Sequence, residues 1–358
     1  MDIVFVNQTF GLGGAETFNI SLANYLSKSS NLHFYTNNRS LHKLTVNLNS
    51  QFIPFSVDFI GDWKGFLKGL LSFPFLQLNY IYIIIKNNSA QTYYFTGYIE
   101  KILLTPWLKF LGKKVVWVEF GPLNTIFNKF WHFPEFLYRL VSGLPDKVIF
   151  SSQNSSIQNQ QYYPTNTNLT VIPLGSPIPP VRFSKVPKFD VLCLSRLEPG
   201  KGQDLLIKAW VKVAKVLPKA TLYIAGTGDN NYFSQLKTLI GSQKNIYLLG
   251  RVEDKYAYLK SCKLTVFPSV WPLEGFGLVI TESLSMGKPV VAFDHPPGNE
   301  IIKSGYNGLL SGSLSENIIY LLKNPKVLQK LSQNARLSFE KSFREDIYLK
   351  SYASAILS

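Results

Sequence analysis

Two carboxylates, Glu274 and Glu282, stand eight residues apart in VWPLEGFGLVITESLSMGKPVV, a stretch that is otherwise mostly apolar, hydroxylic or glycine. If a helix begins near Gly277, successive side chains rotate by about 100°. That rotation sets Glu282 among Leu278, Val279 and Met286, with Thr281 and Ser285 on an adjoining face. A carboxylate in such surroundings needs a partner, because its desolvation is otherwise costly. Glu274 falls on the loop before the helix, where Gly275 and Gly277 leave the backbone uncrowded. The first amides of a helix and the positive end of its dipole make an anion site there. The junction therefore offers two hydroxyl-accepting acids with an anion cradle between them, and a sugar nucleotide presents its groups in that order: sugar hydroxyls, diphosphate, ribose hydroxyls. A solvated helix face beside a glycine turn is the competing reading.

Two further constellations bear on the same chemistry. In LCLSRLEPGKGQDLLIKAW a strand ends, Arg196 and Lys201 fall on the loop, and a helix is expected from near Gly202. Two cations at a strand's carboxyl end, beside a helix N-terminus, suit a phosphate; two surface cations in a charged loop are the alternative. The spacing of a phosphate-loop NTPase is absent. In TFGLGGAETFNISLANYL a glycine turn with Gly11, Gly13 and Gly14 joins the first strand to the first helix. It lacks the dinucleotide-binding spacing and is a weaker phosphate candidate.

The elements that must position these residues alternate. Strands are expected at 3–7, 33–37, 92–97, 114–120, 147–152 and 169–173, with helices such as 15–27 and 98–111 between them. After a proline-rich stretch, 173–189, strands are expected again at 189–195, 220–226, 245–250, 263–269 and 288–293. Proline density of that kind blocks helix and central strand. Alternating strands and helices argue for an α/β chain of two Rossmann-like, doubly wound parallel-sheet domains. The expected boundaries are 1–174, a linker at 175–188, a second domain at 189–340, and a C-terminal helix at 341–358 that crosses back to the first domain. Ligands bind at the carboxyl ends of such sheets, and two domains facing each other would hold one between them.

SRLEPGKG, IAGTGD, LLGRVEDKYAYLKSCKLTVFPS, EGFGLVITESLSMGKPVVA and GNEIIKSGYNGLL, in this order and spacing, resemble the C-terminal domain of glycosyltransferase family 4. The resemblance is specific from about Asp190 to Leu310 and looser before it, although GGAE is similar to the family's first-loop signature. It implies a GT-B fold and retaining transfer from a nucleotide sugar. By position, it implies that Glu274 binds donor-sugar hydroxyls and Glu282 the ribose. Arg196 and Lys201 would hold the diphosphate with help from the amides of Phe276, Gly277 and Leu278, beside Gly275. Gly226 and the backbone near Arg251 and Val252 would line the nucleotide, and Gly13 and Gly14 would close on the donor from the other domain. No cofactor and no metal are implied. Many relatives end the strand corresponding to VVWVEFGP in a histidine. Here Phe120 stands in that place, with Glu119 as its ionisable neighbour, on the expected acceptor side. A non-catalytic scaffold of the same fold, binding sugar or a partner, and a sugar-nucleotide epimerase are the alternatives.

Composition sets the remaining bounds. A chain of 358 residues suits two domains. Its net charge of +15 favours anionic partners. Nucleic acid is not expected, because the nucleotide-sugar motifs already account for an anionic ligand. Cys193 and Cys262, each in or beside an apolar run, read as buried free thiols. MDIVFVNQ has no basic leader, so a cytoplasmic location is expected. The segment 69–85 is apolar but interrupted by Ser72, Pro74, Gln77 and Asn79, and reads as a buried or interfacial helix rather than a span. Lys64, Lys68, Lys109, Lys113 and Lys114 lie among aromatics. They fit either an anionic membrane surface and a lipid-linked or glycan acceptor, or core aromatics with solvated lysines.

Overall fold

The computed structural model of the chain describes residues 1–9, 13–54, 63–128, 130–180, 182–272 and 274–358. Gly11, and the side chains of Lys64 and Lys68, lie outside what is described. The chain divides into two compact units, Met1–Leu174 with Tyr348–Ser358, and Gly175–Ile347.

The N-terminal unit holds β1 (Asp2–Asn7), β2 (Asn31–Thr36), β3 (Gln51–Phe52), β4 (Thr92–Phe95), β5 (Lys114–Glu119), β6 (Lys147–Phe150) and β7 (Leu169–Val171), in the parallel order β3-β2-β1-β4-β5-β6-β7. The C-terminal unit holds β8 (Val191–Leu194), β9 (Leu222–Ala225), β10 (Ile246–Gly250), β11 (Leu264–Phe267), β12 (Val290–Ala292) and β13 (Gly308–Leu310), in the parallel order β10-β9-β8-β11-β12-β13. Each unit is thus a Rossmann-like α/β sheet whose order reverses once, at β1/β4 and at β8/β11. The central strands TYYF, VLCL and LTVF are buried along their whole length. Side chains on both faces of these strands are buried, which is why they are continuous apolar runs rather than alternating ones. Cys193 and Cys262 are free and buried, and burial pushes each thiol up to about 12.

The segment read as a linker groups with the C-terminal unit and is bonded to it near both of its ends. Ser176 donates its amide to Phe343 O at 2.9 Å and accepts from the Glu345 amide at 2.9 Å. Further on, Asp254 Oδ2 accepts from Ser184 N at 2.8 Å, and Ser261 Oγ donates to Val186 O at 2.9 Å. The final helix, Glu345–Leu357, begins among residues of the C-terminal unit, and its larger part clusters with the N-terminal unit. There Tyr352 Oη donates to Ile172 O at 2.8 Å, and its ring packs edge-on to Phe18.

Buried charge in the N-terminal unit is organised around two carboxylates. Glu119 Oε1 accepts from Lys101 Nζ at 2.6 Å, Tyr138 Oη at 2.6 Å and Tyr163 Oη at 2.9 Å. All four side chains are buried, so the set is an internal core network. Glu100 begins the helix Tyr98–Phe110 as its N3 residue. Its Oε1 accepts from Gly97 N at 2.6 Å and from Gln8 N at 3.3 Å, tying the ends of β4 and β1 together. Burial is the main cause that pushes this carboxyl from 4.5 up to about 7, against the backbone amides and Lys101. Between those two values the native chain keeps a proton that the unfolded chain has lost, so stability falls as pH rises through the window. Glu100→Gln removes that titration. Thermal melts between pH 5 and pH 8 are expected to show a smaller loss of stability in the variant, the difference approaching about 3 kcal/mol at most; equal pH dependence in the two proteins contradicts the assignment.

Candidate functional site

At the β8/β11 reversal two loops leave the carboxyl ends of neighbouring strands, the place where open parallel sheets bind ligands. The β8 loop carries Arg196 and Lys201 into the helix Gln203–Val216. The β11 loop carries Ser269, Trp271 and Glu274 into the helix Leu278–Ser285. The loops are pressed together: Val270 N donates to Gly200 O at 2.9 Å. Gly202 has φ +76°, and a Cβ there would lie 1.9 Å from the Pro268 carbonyl oxygen. Only glycine permits both the conformation and the approach.

That approach brings two charges into contact. Lys201 Nζ donates to Glu274 Oε2 at 2.6 Å, and Ser269 Oγ donates to the same oxygen at 3.0 Å. The ammonium also lies 5.6 Å from the centre of the Trp271 ring. The Lys201 and Glu274 side chains are only 10% and 15% exposed, so each charge depends on the other for compensation. Arg196 is 62% exposed and pairs with Glu198 at 2.8 Å. Gln203, which nothing in the sequence distinguishes from a solvated helix residue, is buried and fixes the loop. Its Nε2 donates to Ser195 Oγ and to Arg196 O, both at 2.7 Å.

The helix Leu278–Ser285 starts from Gly277 at φ +79°, with no side-chain cap and no acid in its first turn. Phe276 is buried and Gly275 half-buried beside it. Glu282 is buried on this helix as the apolar spacing requires, and the partner it demands is Lys255, whose Nζ donates to Oε1 at 2.7 Å. Burial pushes the Glu282 carboxyl above its usual range, and Lys255 pulls it back. The sequence gives no sign of this pair, because Lys255 opens another helix, Lys255–Ser261. Gly226 serves close packing: its Cβ would lie 1.8 Å from Ser195 O, and its amide donates to Gly250 O at 2.8 Å. Arg251, exposed, and Val252, half-buried, follow β10 on the same carboxyl rim. A cavity of about 590 Å³ beside Asp190, Cys262 and Lys263 lies at the opposite end of the strands and holds none of these residues.

The remaining expected residues belong to the N-terminal unit. Gly13 N donates to Glu16 Oε2 at 2.8 Å, and Glu16 Oε1 accepts from Thr9 Oγ1 at 2.8 Å. Gly14 is the first residue of the helix Gly14–Leu26. The chain's own carboxylate therefore lies at this turn and engages the Gly13 amide. Glu119 is the centre of the buried network described above, where Lys101, Tyr138 and Tyr163 all engage its Oε1. Phe120 is half-buried, with its ring edge-on to Phe18 at 6.5 Å. Among the described residues no cluster of three or more His, Cys, Asp or Glu side chains could hold a metal.

The family match falls on the C-terminal unit. Residues 178–338 match the family model described as "Glycosyl transferases group 1". An uncharacterized glycosyltransferase of Haemophilus influenzae is 25% identical over 202 residues, 54% of this chain and 57% of that protein. The poly(glycerol-phosphate) alpha-glucosyltransferase of Bacillus subtilis is 32% identical over 178 residues, 47% of this chain and 26% of that protein. The matches thus span from about a quarter to somewhat over half of these relatives. Among solved structures, Anabaena HepE in complex with UDP is similar over 99% of both chains, with a TM-score of 0.82 and 21% identity, a likeness of fold.

Proposed function

We propose that the chain is a retaining glycosyltransferase that moves a sugar, a hexose, from a nucleoside diphosphate to a glycan or lipid-linked acceptor in cell-envelope polysaccharide or glycolipid synthesis. The observation that carries this reading is the Lys201–Glu274 pair beside the uncapped start of the helix Leu278–Ser285. The family match over 178–338 and the UDP bound by HepE support it. The name of the Bacillus relative supports the envelope setting.

In this reading both internal bonds of Glu274 fall on Oε2, which leaves Oε1 to accept from a sugar hydroxyl. Lys255 holds Oε1 of Glu282, leaving Oε2 for the ribose. Arg196, Lys201 and the amides at Phe276–Leu278 take the diphosphate. As the bond between the anomeric carbon and the phosphate oxygen breaks, negative charge grows on that oxygen. Cations and amides already in place stabilise it without reorganising. The incoming hydroxyl attacks from the same face and gives its proton to the leaving phosphate.

Ligand that binds only the native state raises its stability. UDP-, GDP- and ADP-sugars are therefore expected to separate in thermal melts, with one base giving the clear upward shift; no shift with any of them contradicts a nucleotide-sugar site. Lys201→Ala and Glu274→Ala are each expected to lower donor turnover by roughly a hundredfold to a thousandfold, as loss of a preorganised charge does elsewhere. Wild-type rates in both variants would sink the assignment, and donor binding without any turnover in the wild type would favour the scaffold reading.

A further inference from the structure

The helix Trp63–Lys86 is apolar on two opposite faces. Leu76, Tyr80 and Ile83 are buried in the N-terminal unit's core. Leu67, Leu71, Leu78, Ile81, Tyr82 and Ile85 are exposed, at the three- and four-residue spacings that make one stripe. Leu71 and Ile85 are 78% and 70% exposed. A helix apolar all round is stable in water only when its second face is covered. No helix among the described residues is long and apolar enough to cross a membrane, so what covers this stripe must lie alongside it. The same helix carries Lys64, Lys68 and Lys86 and no acid. At its start the Trp63 ring lies 5.5 Å from that of Trp131, which is 87% exposed.

Its other end adjoins a cluster of ammonium groups. Lys113 Nζ donates to Asn88 O at 2.6 Å, which fastens the turn after the helix to a cavity of about 320 Å³ lined by Lys109, Lys113, Lys114, Lys147 and Asp146. Asp146 is engaged by Lys109 at 2.8 Å. Lys109 and Lys113 are thus already paired or bonded, rather than forming a free basic surface. Lys114 Nζ, in contrast, is buried with no hydrogen-bond partner among the described residues. Burial and the neighbouring Lys147 push its ammonium below the usual range, with Asp146 acting the other way. An anion would satisfy this group. Phe110, 86% exposed, and Leu111, also exposed, stand in the same turn.

We propose that this face of the N-terminal unit docks on an anionic lipid surface, with the stripe of the Trp63–Lys86 helix lying among the acyl chains and the lysine-lined cavity taking a headgroup phosphate. An interfacial helix binds by buried apolar area together with attraction to anionic lipid. The proposal does not rest on the donor reading, since docking is measured with no nucleotide present.

The test is flotation of the full chain with vesicles of phosphatidylcholine alone and of phosphatidylcholine mixed with phosphatidylglycerol. The wild type is expected to bind the mixed vesicles at least about tenfold better, with the preference weakening as salt rises. Leu71→Glu with Leu78→Glu should lower binding to the mixed vesicles by at least about tenfold while leaving the thermal melt unchanged. Lys114→Gln with Lys147→Gln should remove most of the preference for anionic vesicles, roughly fivefold per lysine near the surface. Equal binding to both vesicle types, or wild-type binding by the Leu71/Leu78 variant, overturns the proposal. So does a wild-type dimer that this variant converts to monomer without any vesicle binding, which would assign the stripe to a second copy of the chain.

Discussion

The ion pair between Lys201 and Glu274 depends on a feature of the sheet. Both charges are largely withdrawn from water, and neither could be held there alone at tolerable cost. They meet because β8 and β11, distant in sequence, are neighbours at the point where the strand order reverses. They meet closely because Gly202 has no Cβ to strike the Pro268 carbonyl. Gln203, Ser195 and Gly226 then hold the rest of the β8 loop against the sheet, so the position of Arg196 is set by backbone contacts rather than by its own exposed side chain.

The two units use the same architecture with opposite electrostatics at their reversal points. In the N-terminal unit the helices that follow β1 and β4 both begin Gly-x-x-Glu, and Glu16 and Glu100 turn back onto Gly13 and Gly97. Each helix start is already met by an internal carboxyl group that engages its N-cap amide. The helix Leu278–Ser285 of the C-terminal unit has neither a side-chain cap nor an acid in its first turn. It also has Lys201 on the loop packed beside its own. In the proposed reading, this difference favours phosphate binding at the C-terminal sheet.

Much of this was legible in the sequence. Long apolar runs announce the central strands, and the chain passes from one compact unit to the other between Leu174 and Gly175, within the proline-rich stretch. The edge strands β3 and β13 span Gln51–Phe52 and Gly308–Leu310, too short to leave a periodic pattern. Glu274, Glu282, Arg196 and Lys201 stood out because charge beside apolar or glycine-rich sequence demands a reason. What that reason would be was hidden wherever the partner lay far along the chain. Lys255 and Gln203 look like surface residues until the fold places them. The partners of Glu119, which are Lys101, Tyr138 and Tyr163, are likewise invisible beside Phe120 in the sequence. At the Gly13–Gly14 turn, local sequence does not show that Glu16 accepts from the Gly13 amide.

A crystal structure of the full chain with a nucleoside diphosphate tests the site most directly. The account predicts the terminal phosphate at the amides that open the helix Leu278–Ser285, within hydrogen-bond distance of Lys201, and the ribose on Glu282. A nucleotide bound instead at the start of the helix Gly14–Leu26, or one whose phosphates touch neither Lys201 nor those amides, would contradict it.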